Sequence, residues 1–345
     1  MTTATPPLLA PDAVRAFLDE HGIGTGAGPI EATRIGDGQS NLTYLVARGG
    51  ERVVLRRGPR PPYPPSAHDM LREARILDLL APTGLPVPRV RAVCDDESVL
   101  GVPFYVMDLV PGIVIGDELP AAFDAAEDRR GLAEAAVDAL AALHRVDVAS
   151  GPLASIGRPA GFLERQVSRF ASLWPGNTTR QVDGFDEVAG WLAAHVPASG
   201  RAAVVHGDFR IGNLLYRPAG PPTVAAILDW EMATLGDPLA DLGYFLATYA
   251  EAGSPPTPLD LTPVTRLPGF PTRAELADRY ERASGVAVHD LDWYQAFALW
   301  KGAVFCEAIH TRWLRGERPD DTTFAPGLTE GVPALIAAAA ARIAR

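Results

Sequence analysis

Asp208 and Asn213 stand five residues apart in the stretch VVHGDFRIGNLLY, between two apolar runs and just after His206. VVHGD reads as an apolar strand ending in a carboxylate, and NLLY opens the next run, so Asp208 and Asn213 share a tight loop. Sixteen residues beyond Asn213, VAAILDW repeats the arrangement, an apolar strand ending in Asp229. Carboxylate and amide oxygens are hard ligands suited to Mg²⁺, which takes few protein ligands and leaves its other positions to phosphates and water. Asn213 and Asp229 fit that metal role. Asp208 is then free to orient and deprotonate a substrate hydroxyl, the base that phosphoryl transfer requires. A hydrolytic zinc centre is the weaker reading, because it needs three firm protein ligands and no second histidine falls at ligand spacing from His206.

The elements that must position these residues are legible in the periodicity. NLTYLVARG and ERVVLRR are β-branched and apolar runs separated by Gly49 and Gly50, a hairpin signal. The proline loop PRPPYPPS follows, then AHDMLREARILDLL, where Met70, Leu71, Ala74, Leu77 and Leu80 recur at helical spacing. PVPRVRAVC and PFYVMDLV read as two more strands. Beyond Pro111 and Gly112 the character changes: RRGLAEAAVDALAALHRV, GFLERQVSRFASLW and FDEVAGWLAAHV read as amphipathic helices, and strands return only around AAVVHGDFRIGNLLY and TVAAILDWEMA. The expectation is an α+β chain with a small β-rich lobe over 1–110, a hinge at Met107 to Gly112, and a larger helical lobe over 111–345. Residues 253 to 271, rich in Pro and Gly, read as a long loop.

Composition narrows the function classes. A chain of 345 residues suits two lobes or two domains. It lacks an uninterrupted apolar run near 20 residues, so no membrane-crossing helix is expected. The start lacks the basic-then-apolar order of a secretory signal, and Cys94 and Cys306 have no metal-ligand spacing, which points to a reducing cytoplasm with both thiols as core filler. A formal charge of −11 argues against a grip on nucleic acid phosphates. Up to Val110 there are 11 basic and 13 acidic residues, and after it 20 and 29, so the acidity belongs to the larger lobe. That excess suits either a cationic acceptor or a solubilising surface. Lys301 is the sole lysine, so any phosphate grip in the first lobe must use arginine or backbone.

The pair HGDFRIGN and ILDWE resembles the aminoglycoside phosphotransferase and choline kinase superfamily, which has a protein-kinase-like fold. VVLRRGP, LREARIL, FYVMDLVPG and GDPLADLGYFL look like the branch found as N-terminal domains of acyl-CoA dehydrogenase fusion proteins. The resemblance covers about 30 to 320. It implies a bilobal enzyme that binds Mg²⁺ with ATP or GTP between its lobes and phosphorylates a small-molecule hydroxyl. The acceptor would be a hydroxyacyl-type metabolite or an aminoglycoside-like compound, with no obligatory protein partner. A catalytically silent nucleotide- or metabolite-binding pseudokinase is the alternative.

The resemblance also implies residue roles. RIGDGQSNLTYLV falls at the nucleotide loop, where Gly36 and Gly38 would let backbone approach phosphates and Ser40 and Asn41 would cap them. Arg56 stands where the family has a lysine, with Glu73 as its partner; arginine keeps the charge but changes the geometry. The nucleotide base would bond backbone between Asp108 and Val110. Arg210 would stabilise the migrating phosphoryl group, Asp241 would tie down the catalytic loop, and His206 would pack beneath it. His144 and the aromatics Trp293, Tyr294, Phe297 and Trp300 read as core. GIGTGAG at 22 to 28 mimics a dinucleotide fingerprint but follows a helical stretch, which makes it a loop.

Overall fold

The computed structural model describes residues 8–26, 28–36, 41–61 and 68–344. They gather into two units, one of Met1–Pro111 with Ala225–Glu231 and the other of Gly112–Val224 with Met232–Arg345.

The first unit holds α1 (Pro11–Glu20), β1 (Glu31–Ile35), β2 (Leu42–Arg48), β3 (Glu51–Arg57), α2 (Met70–Leu80), β4 (Val90–Cys94), α3 (Glu97–Leu100) and β5 (Phe104–Asp108). The strands form one antiparallel sheet in the order β1-β2-β3-β5-β4. Gly49 and Gly50 turn β2 into β3 with φ of 58° and 81°, the left-handed pair that a two-residue hairpin of this twist demands. Strand β2 alternates between buried and half-buried side chains. Its Leu42, Tyr44 and Val46 join Val14, Phe17 and Leu18 of α1 and Phe104 and Val106 of β5 in one core.

Helix α2 starts at Asp69, whose carboxylate accepts from the Arg72 amide at 2.9 Å. It buries Met70, Glu73, Ala74, Ile76, Leu77 and Leu80. Leu71, counted above in the apolar stripe, is 38% exposed, and Ile76 takes the inward position instead. The false fingerprint also has a structural use. A Cβ on Gly49 would meet the Thr25 carbonyl oxygen at 2.6 Å, so 22 to 26 is the segment against which the β2–β3 turn packs.

The second unit holds β6 (Ile113–Val114), α4 (Ala126–His144), α5 (Phe162–Asn177), α6 (Phe185–Ala194), β7 (Ala203–Val205), β8 (Leu214–Tyr216), β10 (Thr234–Gly236), α7 (Pro238–Thr248), α8 (Arg273–Ser284), α9 (Leu291–Leu314) and α10 (Phe324–Ile343), and β9 (Val224–Ile227) only begins in it. Strand β9 leads the chain from this unit into the first. β7 pairs antiparallel with β10, Val205 opposite Thr234, and β6 pairs with β8. Trp293, Tyr294, Phe297 and Trp300 of α9 are all buried, which makes them core.

Residues 253 to 271 are more ordered than a plain loop. They contain a 3₁₀ turn at Pro263–Arg266, and the Arg266 guanidinium donates to the Glu251 and Ser254 carbonyls at 3.0 and 2.7 Å. Helix α10 departs from expectation as well, being long and apolar enough by length and composition to cross a membrane. It carries Pro333, buries Leu328, Val332, Leu335 and Ile336, and packs against α9.

Candidate active site

In the second unit, β7 has three buried residues and delivers His206, Gly207 and Asp208 at its end. Gly207 has φ of 85°, and a Cβ there would meet the Met232 side chain at 2.9 Å, so both conformation and space call for glycine. Asp241 of α7 fixes this turn by accepting the His206 amide at 2.6 Å and the Gly207 amide at 2.8 Å. His144 Nε2 lies 3.3 Å from the same carboxylate, and its Nδ1 is 2.6 Å from the Tyr280 hydroxyl. Burial works against the Asp241 charge, but the His144 hydrogen bond, the His144 and His206 rings and the Gly207 amide outweigh it and hold the carboxyl below its usual range.

That network gives a stability prediction. The folded-state value is depressed, so the Asp241 contribution is present above the ordinary carboxylate pKa of about 3.9 and is lost as pH falls through the folded value. Asp241→Asn should cost about 3 kcal/mol or more, because a buried charged network loses one partner. Urea unfolding reads it, and a variant as stable as its parent would refute the assignment.

Asp208 is held at both oxygens. Asn213 lies in a 3₁₀ turn, Ile211–Asn213, and its Nδ2 donates to the Asp208 backbone carbonyl at 2.9 Å and to Oδ2 at 2.8 Å. The Tyr244 hydroxyl donates to Oδ1 at 2.6 Å. Arg210 Nε is 3.8 Å from Oδ1, and a Cβ on Gly212 would collide with the Arg210 guanidinium, so Gly212 makes room for it. Beneath the loop His206 is fully buried, and its Nδ1 takes the Asp208 amide at 3.3 Å. Lys301 of α9 donates to the Gly207 carbonyl at 3.3 Å.

The first unit carries its own charged set. Arg56 on β3 meets Glu73 of α2 at 3.1 Å and Asp229 at 2.6 Å. Glu73 is 1% exposed at its side chain and Arg56 14%, so this is no surface ion pair. Burial opposes the Arg56 charge, yet the Glu73 carboxylate, with Asp229 behind it, holds that charge well above its ordinary range. Asp229 has φ of 67°, a left-handed conformation that costs energy outside glycine and clusters at functional sites.

Gly36 also has a left-handed φ, 73°, with open space where a Cβ would stand. Gly38 and Ser40 lie outside the described residues. Asn41 already has protein partners: one of its side-chain amide hydrogens goes to Glu231 at 2.7 Å, and its carbonyl faces His68 Nδ1 at 2.9 Å. The Asp108 amide is likewise committed, to the Arg89 carbonyl at 2.9 Å, while its carboxylate pairs with Arg91 at 3.0 Å. Val110 is half-buried at the end of the unit.

Asn213 of the second unit and Asp229 of the first each keep an oxygen suited to a hard cation. Both amide hydrogens of Asn213 are engaged, so Oδ1 is the atom it keeps for a metal. Asp229 is 31% exposed at its side chain and has one oxygen on Arg56, which leaves the other. Three carboxylates that could contact a polycationic acceptor have protein partners. Glu231 holds Asn41, Asp237 caps α7 through the Leu239 amide and accepts from Tyr294, and fully buried Glu307 is clamped by Arg180. Sequence reasoning missed Tyr244 and Lys301. Tyr244 had a signal: it follows Asp241 by three residues on α7, one turn away on the same face.

Residues 31–298 match the phosphotransferase enzyme family, APH. Acyl-CoA dehydrogenase family member 10 of Mus musculus is 34% identical over 329 residues, which cover 94% of this chain and 30% of that protein. The chain spans 30% to 41% of the length of the first few such relatives. Among solved structures, a Ralstonia eutropha protein provisionally assigned as an aminoglycoside phosphotransferase is 28% identical with a TM-score of 0.78, covering 96% of this chain and 97% of its own. An aminoglycoside phosphotransferase solved with AMP-PNP and hygromycin B is 18% identical with a TM-score of 0.59, covering 94% and 98%, a likeness of fold alone.

Proposed function

Because the chain belongs to the phosphotransferase enzyme family, we propose that it moves the γ-phosphoryl group of ATP, or of GTP, to a hydroxyl of a small molecule. The observation that carries this reading is Asp208, a carboxylate fixed at both oxygens on a loop whose backbone is itself fixed. In the reaction the acceptor oxygen bonds to the γ-phosphorus, the bond to the β–γ bridging oxygen breaks, and the hydroxyl proton passes to Asp208. Arg210, beside Asp208, would steady the charge on the migrating group.

In the first unit, Arg56 would meet nucleotide phosphate while Glu73 keeps its other edge, and the glycine loop at 36 to 38 would admit backbone to the phosphates. Bonding of the base is proposed for the Asp108 carbonyl and the Val110 backbone. Asn213 and Asp229 are each fit to take magnesium, which when bound supplies charge neutralisation for the phosphates. A fold neighbour solved with AMP-PNP supports nucleotide use. The buried free thiols Cys94 and Cys306 support a cytoplasmic setting.

For the acceptor we favour a hydroxyacyl-type compound over an aminoglycoside. Several amines need several free carboxylates, and the buried Asp237 and Glu307 are spent on protein partners. The second unit instead exposes Leu173 of α5 and Phe305 of α9, at 39% and 43%, with Phe305 close to Lys301. The acyl-CoA dehydrogenase relatives point the same way. A nucleotide sensor without turnover is the second reading, favoured by the direct Arg56–Asp229 pair.

The test is nucleotide consumption with Mg²⁺ against hydroxyacyl-CoAs, choline, sugars and aminoglycosides. Consumption on the hydroxyacyl compounds is expected. Consumption on an aminoglycoside alone would overturn the acceptor, and binding without consumption on any would favour the sensor.

A further inference from the structure

We propose that Tyr244 and Lys301 are positioning residues for the Asp208 base. The inference rests on the reading of Asp208 as the base of a phosphoryl transfer. The two Asp208 oxygens are anchored from different elements, Oδ1 by the Tyr244 hydroxyl of α7 at 2.6 Å and Oδ2 by Asn213 of its own loop at 2.8 Å. With both ends tied, the carboxylate plane cannot rotate, and each oxygen still has lone-pair capacity for a substrate proton. Burial and the neighbouring Asp208 charge hold the Tyr244 phenol well above its ordinary range, so it stays the donor of that bond.

Lys301 holds the peptide that leads into Asp208. It is 9% exposed, and no carboxylate stands within 4.0 Å of it among the described residues. Its ammonium donates to the Gly207 carbonyl and otherwise rests on aromatic faces, 5.3 Å from the Phe170 centroid, 5.5 Å from Tyr244 and 5.9 Å from Phe305. A buried ammonium without an ion pair is costly, and burial pushes its pKa down while Asp208 and Asp241 pull it back. Methionine would fill the space without that cost. The contribution of the charge therefore lies in what it touches: the carbonyl that precedes Asp208 and the ring that carries the hydroxyl on Asp208.

A double-mutant cycle with Asp208→Asn tests this on the full chain, with an acceptor the parent phosphorylates. Tyr244→Phe keeps the ring and removes the donor. It should lower kcat about 10- to 100-fold, the range for a hydrogen bond to a charged group, with KM for both substrates and the urea midpoint little changed. In the Asp208→Asn background the same substitution should have no further effect. Lys301→Met should lower kcat while the urea midpoint holds or rises. A parent-level kcat in Tyr244→Phe, or an equal loss in both backgrounds, would overturn the inference while leaving the base in place. A parent that transfers phosphate to nothing would overturn the reading of Asp208, and this inference with it.

Discussion

Asp208→Asn is expected to lower turnover by about 10²- to 10⁴-fold, the contribution of a positioned general base, and to leave nucleotide affinity nearly unchanged. The asparagine fills the same volume and still offers one oxygen to the Tyr244 hydroxyl, so the loop fixed by Asp241 keeps its shape. What disappears is the group that takes the acceptor proton. Positioning of the reactants and charge neutralisation remain, and they account for the residual rate. Steady-state kinetics on the phosphorylated acceptor, paired with calorimetric nucleotide titration, separates the two quantities. A variant that loses nucleotide binding and turnover together would show that Asp208 belongs to the nucleotide site.

The second large effect is expected at Asp229. Replacing it with asparagine tolerates the left-handed backbone, since Asn adopts that conformation more readily than other side chains. The substitution therefore isolates the charge. Arg56 keeps Glu73 at 3.1 Å, so the fold should survive. Affinity for Mg²⁺–nucleotide should fall by at least the roughly 10- to 100-fold that loss of a supporting metal contact costs, and magnesium should no longer enhance nucleotide binding. An affinity that still rises with magnesium as in the parent would remove Asp229 from the metal.

Much of this was readable before the fold was. Strand ends and a tight loop need only local periodicity, and the hairpin at Gly49 and Gly50 carries its own turn chemistry. The α+β class followed because the sheet elements and the helical elements each come in runs. What the chain concealed was who pairs with whom over distance. Asn41 looked free, but its partners are Glu231 and His68, 190 and 27 residues away. Arg56 and Glu73 were read as a pair, yet the bond from Arg56 to Asp229 spans 173 residues and leaves no local pattern. Lys301 was noticed only as the lone lysine, and its place under Gly207 depends on how α9 packs. The exposure of Leu71 is a smaller case of the same kind, since helical spacing marks a stripe but not its edge.

The central claim is that a phosphoryl group leaves the nucleotide for an acceptor hydroxyl, and ³¹P NMR of the protein with Mg²⁺, ATP and a hydroxyacyl-CoA tests it most directly. The account predicts loss of the γ resonance, growth of ADP, and a matching phosphate monoester signal that is absent with Asp208→Asn. An unchanged ATP spectrum in the presence of saturable Mg²⁺–nucleotide binding across the acceptor panel would contradict it and identify a protein that binds nucleotide without using it.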